Sequence, residues 1–206
     1  EMLARIAELP NVSLRIGIGF DRMLTRETEA LVTLSDGTTV SARLVIGADG
    51  RDSPVREALG IAARTFRYGQ KALAFAVTHS VPHANVSTEV HRSGGPFTLV
   101  PLPDRDGQPA SAVVWMERGD EIARLAALPE TEFEAEMTAR SSGVLGPLTL
   151  VSRRSIWPII SRIADRMSGQ RCILMAEAAH VVPPIGAQGL NMSLADLACL
   201  LDLAGT

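Results

Sequence analysis

Between Ala176 and Asn191 the chain places an acid, Glu177, a histidine, His180, paired prolines, Pro183 and Pro184, two glycines, Gly186 and Gly189, and the amides Gln188 and Asn191. The apolar helical pattern Met192 to Leu203 follows directly. A rigid turn leading into a helix N-terminus presents free N–H groups and a positive dipole end, which suits an anion or a polarised ring. The prolines fix φ and remove two donors, so the turn has less entropy to lose. The glycines let backbone pass close to a planar ring. At Gly189 a β-branched residue would meet a lack of room and a backbone angle it resists. Amides near Leu190 and Asn191 can stabilise charge developing at the ring edge, with Gln188 either at that edge or towards solvent. His180 can titrate near neutrality and act as a base, yet its place after an apolar strand fits a hydrogen bond to backbone or a cofactor's pyrophosphate better.

A second cluster runs Gly47-Ala48-Asp49-Gly50-Arg51-Asp52-Ser53-Pro54-Val55-Arg56. It reads as a turn and a helix start, with Ser53 as N-cap and Pro54 in the first helical position. It also reads as a dinucleotide contact: small residues permit close approach, Asp49 can accept from a ribityl or ribose hydroxyl, and the next helix N-terminus faces phosphate. Other chemistries fit less well. His79 and His83 are four apart in a strand followed by Pro82, which is not a metal pair, and His91 does not complete one. Ser53 and Ser155 lack a glycine-elbow context.

Both clusters resemble the aromatic hydroxylase family of FAD-dependent monooxygenases, in the branch that hydroxylates ubiquinone precursors. Ala176 to Asn191 is similar to its second flavin-contacting motif. Gly47-Ala48-Asp49-Gly50 with Ser53 and Val55-Arg56 is similar to its Asp-Gly motif, which touches the FAD pyrophosphate and is linked to nicotinamide use. The resemblance implies cofactor contacts at Asp49, Gly50, Arg56, Glu177, His180, Pro184, Gly186, Gln188, Gly189, Leu190 and Asn191, with Pro184, Gly189 and Asn191 positioning the flavin. Where the family commonly has Gly-Asp, this chain has Ala176-Glu177. Glu keeps the charge one methylene further out, so a ribityl contact with a rearranged hydrogen bond is implied; the alternative is a Glu that caps the adjacent turn. The implied reaction hydroxylates a phenolic ring with O2, using FAD reduced by NAD(P)H. The protein's share is orientation and exclusion of water. The substrate implied is a polyprenylphenol met in the cytoplasm, at a membrane surface or in a biosynthetic complex. A non-hydroxylating flavin oxidoreductase and a non-catalytic flavin-fold binding or scaffold protein stay open.

That family opens with a strand, a Gly-x-Gly-x-x-Gly loop and a helix for the ADP half of FAD. No such run occurs in these 206 residues, and Gly17 and Gly19 do not supply it. The resemblance therefore implies a chain that starts inside a longer parent and stops short of its later helices. Such a chain alone is expected to bind FAD weakly or not at all, and to turn over nothing.

The elements that would position these clusters suggest an α/β fold. An incomplete FAD/NAD(P)-binding domain, residues 1–65 and 156–206, would carry an inserted, mainly antiparallel β-sheet substrate domain, residues 66–155. Leu3, Ile6 and Leu9 mark a helix, and Val12, Leu14, Ile16 and Ile18 alternate as a strand. Ser35-Asp36-Gly37 turns a hairpin from Ala30–Leu34 to Thr38–Val40. Arg43 to Gly47 reads as a strand covered on both faces, and Gln170 to Ala176 as another. Period-two strands follow at 72–79, 86–91, 97–102 and 110–115, with Pro82, Pro101, Pro103 and Pro109 at strand ends. Phe75, Phe97, Val113 and Trp115 face either the core or a cavity. Thr131 to Ser142 is a helix burying Phe133 and Met137, with Arg140 on an exposed part of it.

With 46% hydrophobic residues the chain can build a core. A net charge of -3 gives no pull on nucleic acid. Cys172 and Cys199 sit in apolar patterns and read as buried free thiols. No apolar run is long enough to span a membrane.

Overall fold

The computed structural model describes residues 2–184, 186 and 188–205. Two compact units result, Glu1–Phe66 with Ser161–Thr206, and Arg67–Ile160.

In the first unit, helix α1 (Met2–Ala7) buries none of its residues. The strand expected from Val12 to Ile18 does not form. Alternation supplies a face but no partner, and Val12, Leu14 and Ile16 stay exposed. The strand that does form is β1 (Phe20–Thr25), because it pairs antiparallel with β2 (Ala30–Leu34). β3 (Thr39–Ala42) completes the expected hairpin across Gly37, whose φ of 83° needs glycine. Next comes β4 (Val45–Gly47), with Leu44 and Ile46 about half exposed rather than covered on both faces. Helix α2 (Pro54–Ala58) follows with Ser53 as N-cap.

β5 (Ala63–His79) takes the chain into the second unit, where β6 (Thr88–Arg92), β7 (Gly95–Arg105) and β8 (Gln108–Arg118) form an antiparallel sheet with it. Pro101 and Pro103 lie inside β7 and not at its end. β6 pairs only as far as Leu99, so beyond it one edge of β7 needs no donor, and a register shift after Leu102 accommodates Pro103. Helix α3 (Gly119–Ala127), which the sequence reading passed over, buries Ile122 and Leu125 three apart. α4 (Glu130–Arg140) buries Phe133 and Met137 as expected. Both helices cover one sheet face, and Phe75, Phe97, Val113 and Trp115 all lie in that core. Phe133 packs edge-on against Phe75 at 5.1 Å, with the Arg154 guanidinium 4.8 Å from its ring centre. Arg140 is a correction. It is 8% exposed and donates to the carbonyls of Val90 and Gly95, so it ties α4 to the β6–β7 turn.

β9 (Leu148–Leu150) pairs with β5, and β10 (Ser155–Ala164) returns the chain to the first unit. There β11 (Ser168–Gly169) pairs with β12 (Cys172–Leu174), and β13 (His180–Val181) pairs with Arg162 and Ile163 of β10. Helix α5 (Gln188–Ala204) has no buried residue, with Leu190, Leu194, Leu197 and Leu201 exposed. Cys172 is buried, which pushes its thiol pKa up, whereas Cys199 is exposed, contrary to expectation. A small core of Val55, Ile61, Ala164, Cys172, Leu174, Ala178 and Ala179 joins α2 to β12 and the turn after it.

Outside the two clusters, His79 is 5% exposed. Its Nδ1 lies 2.9 Å from the Val81 carbonyl and must carry the proton there, so Nε2 accepts from the Ser111 hydroxyl at 2.9 Å. Burial holds its pKa below the ordinary 6.5, and nearby His83 lowers it further. An unfolded chain then takes the proton more readily than the folded one. Stability from this group is complete above 6.5 and falls as pH drops through 6.5 towards the depressed folded value. Urea midpoints between about pH 8 and pH 5 should fall less steeply for His79→Asn than for the parent. Equal slopes would remove His79 as a source of acid sensitivity.

Candidate functional site

β4 and β12 are adjacent and parallel, with Cys172 opposite Val45 and Leu174 opposite Gly47. Both sequence clusters therefore leave the carboxyl ends of neighbouring strands, the place where open α/β sheets bind ligands. Gly47 makes the close packing possible. A Cβ there would lie 2.9 Å from both Leu174 Cδ2 and Val55 Cγ1.

The first loop closes on itself. Asp49 accepts from the Ser53 hydroxyl at 2.5 Å and from the Val55 amide at 3.0 Å, while Ser53 Oγ accepts from the Arg56 amide at 2.9 Å. The expectation that the α2 N-terminus faces phosphate is corrected by this geometry, because side chains of the loop already use those amides. Arg56 is also redirected. It is 6% exposed, and its Nη1 donates to the Arg51 carbonyl at 3.1 Å and the Ala178 carbonyl at 3.0 Å. It is a buried strut between the two clusters. Gly50 keeps an open surface: φ is 89°, and nothing lies within 4 Å of the position of a Cβ.

The second loop begins at Ala176, whose φ of 51° is left-handed and costs an alanine roughly 1–2 kcal/mol. A 3-10 turn, Ala176–Ala178, follows. It sets Glu177 Oε2 3.7 Å from Arg51 Nε, a second link between the clusters. His180 is buried, and its Nε2 pairs with Asp196 at 2.7 Å. Pro184 and Gly186 are exposed, and Gly186 has φ of 65°. Gln188, Gly189, Leu190 and Asn191 form the exposed first turn of α5. Ile185 and Ala187 of this motif lie outside the described residues.

At Gly189 half of the expectation changes. Its backbone is helical and free of positive φ, so no angle there demands glycine. Among the described residues a Cβ would meet only Val182 Cγ2, at 4.0 Å.

Sequence reading missed Asp196 and Arg162. Asp196 was legible as one of two acids in the apolar run after Asn191. Arg162 reaches the first loop from β10, donating to the Arg51 carbonyl at 2.5 Å and to Asp52 at 2.9 Å. Beside it a cavity of about 270 Å³ is lined by Phe66, Ile163, His180, Val182 and Met192. Among the described residues no three His, Cys, Asp or Glu side chains could hold a metal together.

Two cross-tied loops leaving parallel strand ends, with Gly50 on the first and the second running on to the start of α5 at Gly189, are the arrangement of a cofactor-binding α/β protein. The chain belongs to the FAD binding domain family, whose model matches residues 22–203, and FAD is the cofactor this membership implies. It is 39% identical over 204 residues to the ubiquinone hydroxylase UbiL of Rhodospirillum rubrum, covering 98% of this chain and 46% of UbiL. It is 28% identical over 198 residues to the ubiquinone hydroxylase UbiM of Neisseria meningitidis, covering 96% of this chain and 42% of UbiM. It thus spans less than half the length of these relatives. The crystal structure of PqsL from Pseudomonas aeruginosa superposes with a TM-score of 0.78 at 24% identity, over 97% of this chain and 56% of PqsL, which speaks for the fold.

Proposed function

We propose that this chain is the flavin-contacting and substrate-binding part of a monooxygenase that uses NAD(P)H and O2 to hydroxylate a phenolic ring, with a polyprenylated ubiquinone precursor as substrate. The observation that carries this reading is the delivery of both loops to the carboxyl ends of β4 and β12. FAD held there supplies electrons and oxygen activation. The names of the UbiL and UbiM relatives support the substrate class.

Each loop has its own part. Glu177, held by Arg51, offers its carboxylate to a ribityl hydroxyl, and the Gly50 surface admits the pyrophosphate. The α5 amides around Leu190 and Asn191 stabilise negative charge at the ring edge, and Pro184 with Gly189 keeps that edge accessible. The second unit binds the aromatic ring. Its sheet face opposite α3 and α4 is paved with small residues, Ala72, Ala74, Ala76 and Ala112, beside Val114 and Met116. No helix among the described residues is long and apolar enough to cross a membrane.

Titrating the purified chain with FAD should give dissociation constants weaker than about 1 μM, because no glycine-rich loop here holds the ADP half. Submicromolar binding would overturn that expectation. A chimera restoring the part of UbiL outside the match should bind FAD and couple NAD(P)H oxidation to hydroxylated product. NAD(P)H oxidation without hydroxylation would assign a non-hydroxylating oxidoreductase, and no flavin binding would assign the scaffold reading.

A further inference from the structure

We propose that Asp196 is a positioning residue that holds Ala176 in its left-handed conformation and thereby sets the acidic turn; only the assignment of that turn to the cofactor rests on the function proposed above. Ala176 is where the chain leaves β12, and its φ of 51° lies in the region that favours glycine. This angle sends the chain into a tight turn, closed by the Ala178 amide on the Met175 carbonyl at 3.2 Å and the Ala179 amide on the Ala176 carbonyl at 2.9 Å. Everything the turn presents depends on that angle. Glu177 meets Arg51, and the Ala178 carbonyl meets Arg56.

A specific contact offsets the strain. The Ala176 amide donates to Asp196 Oδ2 at 2.9 Å, and the same oxygen lies 2.7 Å from His180 Nε2. Asp196 belongs to α5, and its side chain is 22% exposed. One carboxylate oxygen therefore anchors both ends of segment 176–180 to one helix. A glycine at 176 would adopt the same φ without help, whereas alanine needs a partner that is lost when the turn opens. The two residues should then be energetically coupled beyond the sum of their separate effects.

The test uses the 206-residue chain without cofactor, comparing the parent, A176G, D196L and the double variant by hydrogen exchange of amides 177–181. D196L should speed exchange of this segment by about tenfold or more, and by about threefold or less when A176G is also present. Asp196→Asn keeps an acceptor for the Ala176 amide and should retain most of the protection. Equal acceleration by D196L in both backgrounds, or an Asn variant no better protected than Leu, would overturn the proposal. If D196L does not fold, Asp196→Ala, which also removes the acceptor, is compared with and without A176G under the same criterion. In the FAD-binding chimera, D196L should also weaken FAD by about tenfold. A positive coupling result with unchanged FAD affinity would keep the clamp and refute only the cofactor's place at this turn.

Discussion

Arg56→Met should lower the unfolding free energy of this chain by roughly 2–5 kcal/mol and loosen both loops of the candidate site together. Methionine fills much of the same volume, so the loss comes from hydrogen bonding rather than from a cavity. Two carbonyls, those of Arg51 and Ala178, lose a charged donor, and Ala178 is 1% exposed, where water cannot replace it. An unsatisfied buried acceptor costs about 1–3 kcal/mol, and hydrogen bonds to charged groups lie at the upper end of the usual range. Arg56→Lys should recover only part, since both bonds are made by Nη1 at the tip of the guanidinium, and the shorter, more strongly hydrated ammonium does not place its nitrogen at the same point. Urea unfolding and hydrogen exchange of segments 49–56 and 176–181 would measure both effects. A variant within about 1 kcal/mol of the parent would show that the strut is not what joins the clusters.

Gly189→Val should leave the chain as stable as before, or slightly more so, and abolish flavin binding in the restored chimera. Among the described residues the added Cβ meets only Val182 Cγ2 at 4.0 Å, and the helical backbone accepts valine more readily than glycine. Against a flavin, the two extra methyl groups stand on the open surface that the proposed ring edge occupies. The expected loss is about a hundredfold or more in FAD affinity, with hydroxylation lost alongside it. Thermal melting of the 206-residue variant and FAD titration of the chimera separate the two outcomes. Unaltered affinity would move the cofactor away from the start of α5. Gly47→Val provides the contrast: its Cβ would lie 2.9 Å from Leu174 and Val55, so that variant should lose stability by about 1–3 kcal/mol before any ligand is considered.

Local chemistry was legible wherever a few neighbouring residues decide it. The Ser53 cap, the Pro54 helix start, the Gly37 hairpin and the Phe133–Met137 face all appear where the sequence placed them. The two clusters stood out for the same reason, because glycine, proline and acid at short spacing limit what a backbone can do. Reading failed where the outcome depends on a partner distant in sequence. Val12 to Ile18 alternates like a strand but finds none, while the less regular Phe20–Thr25 pairs with β2. Pro101 and Pro103 are tolerated inside β7 because β6 has already ended.

The same division governs the site. Sequence alone determined which residue types stand together at short spacing in the two clusters, and those types are what make the clusters candidates for a flavin contact. Only the tertiary structure decided which of them turn inward. Arg56 and His180 look like ligands when read along the chain, yet one spans to Ala178 and the other pairs with Asp196. These contacts join positions 122 and 16 residues apart, and a polar side chain taken out of water goes to whichever partner folding brings within reach. Residue type specifies the need for such a partner; the parallel pairing of β4 with β12 brings Ala178 to Arg56, and α5 brings Asp196 to His180.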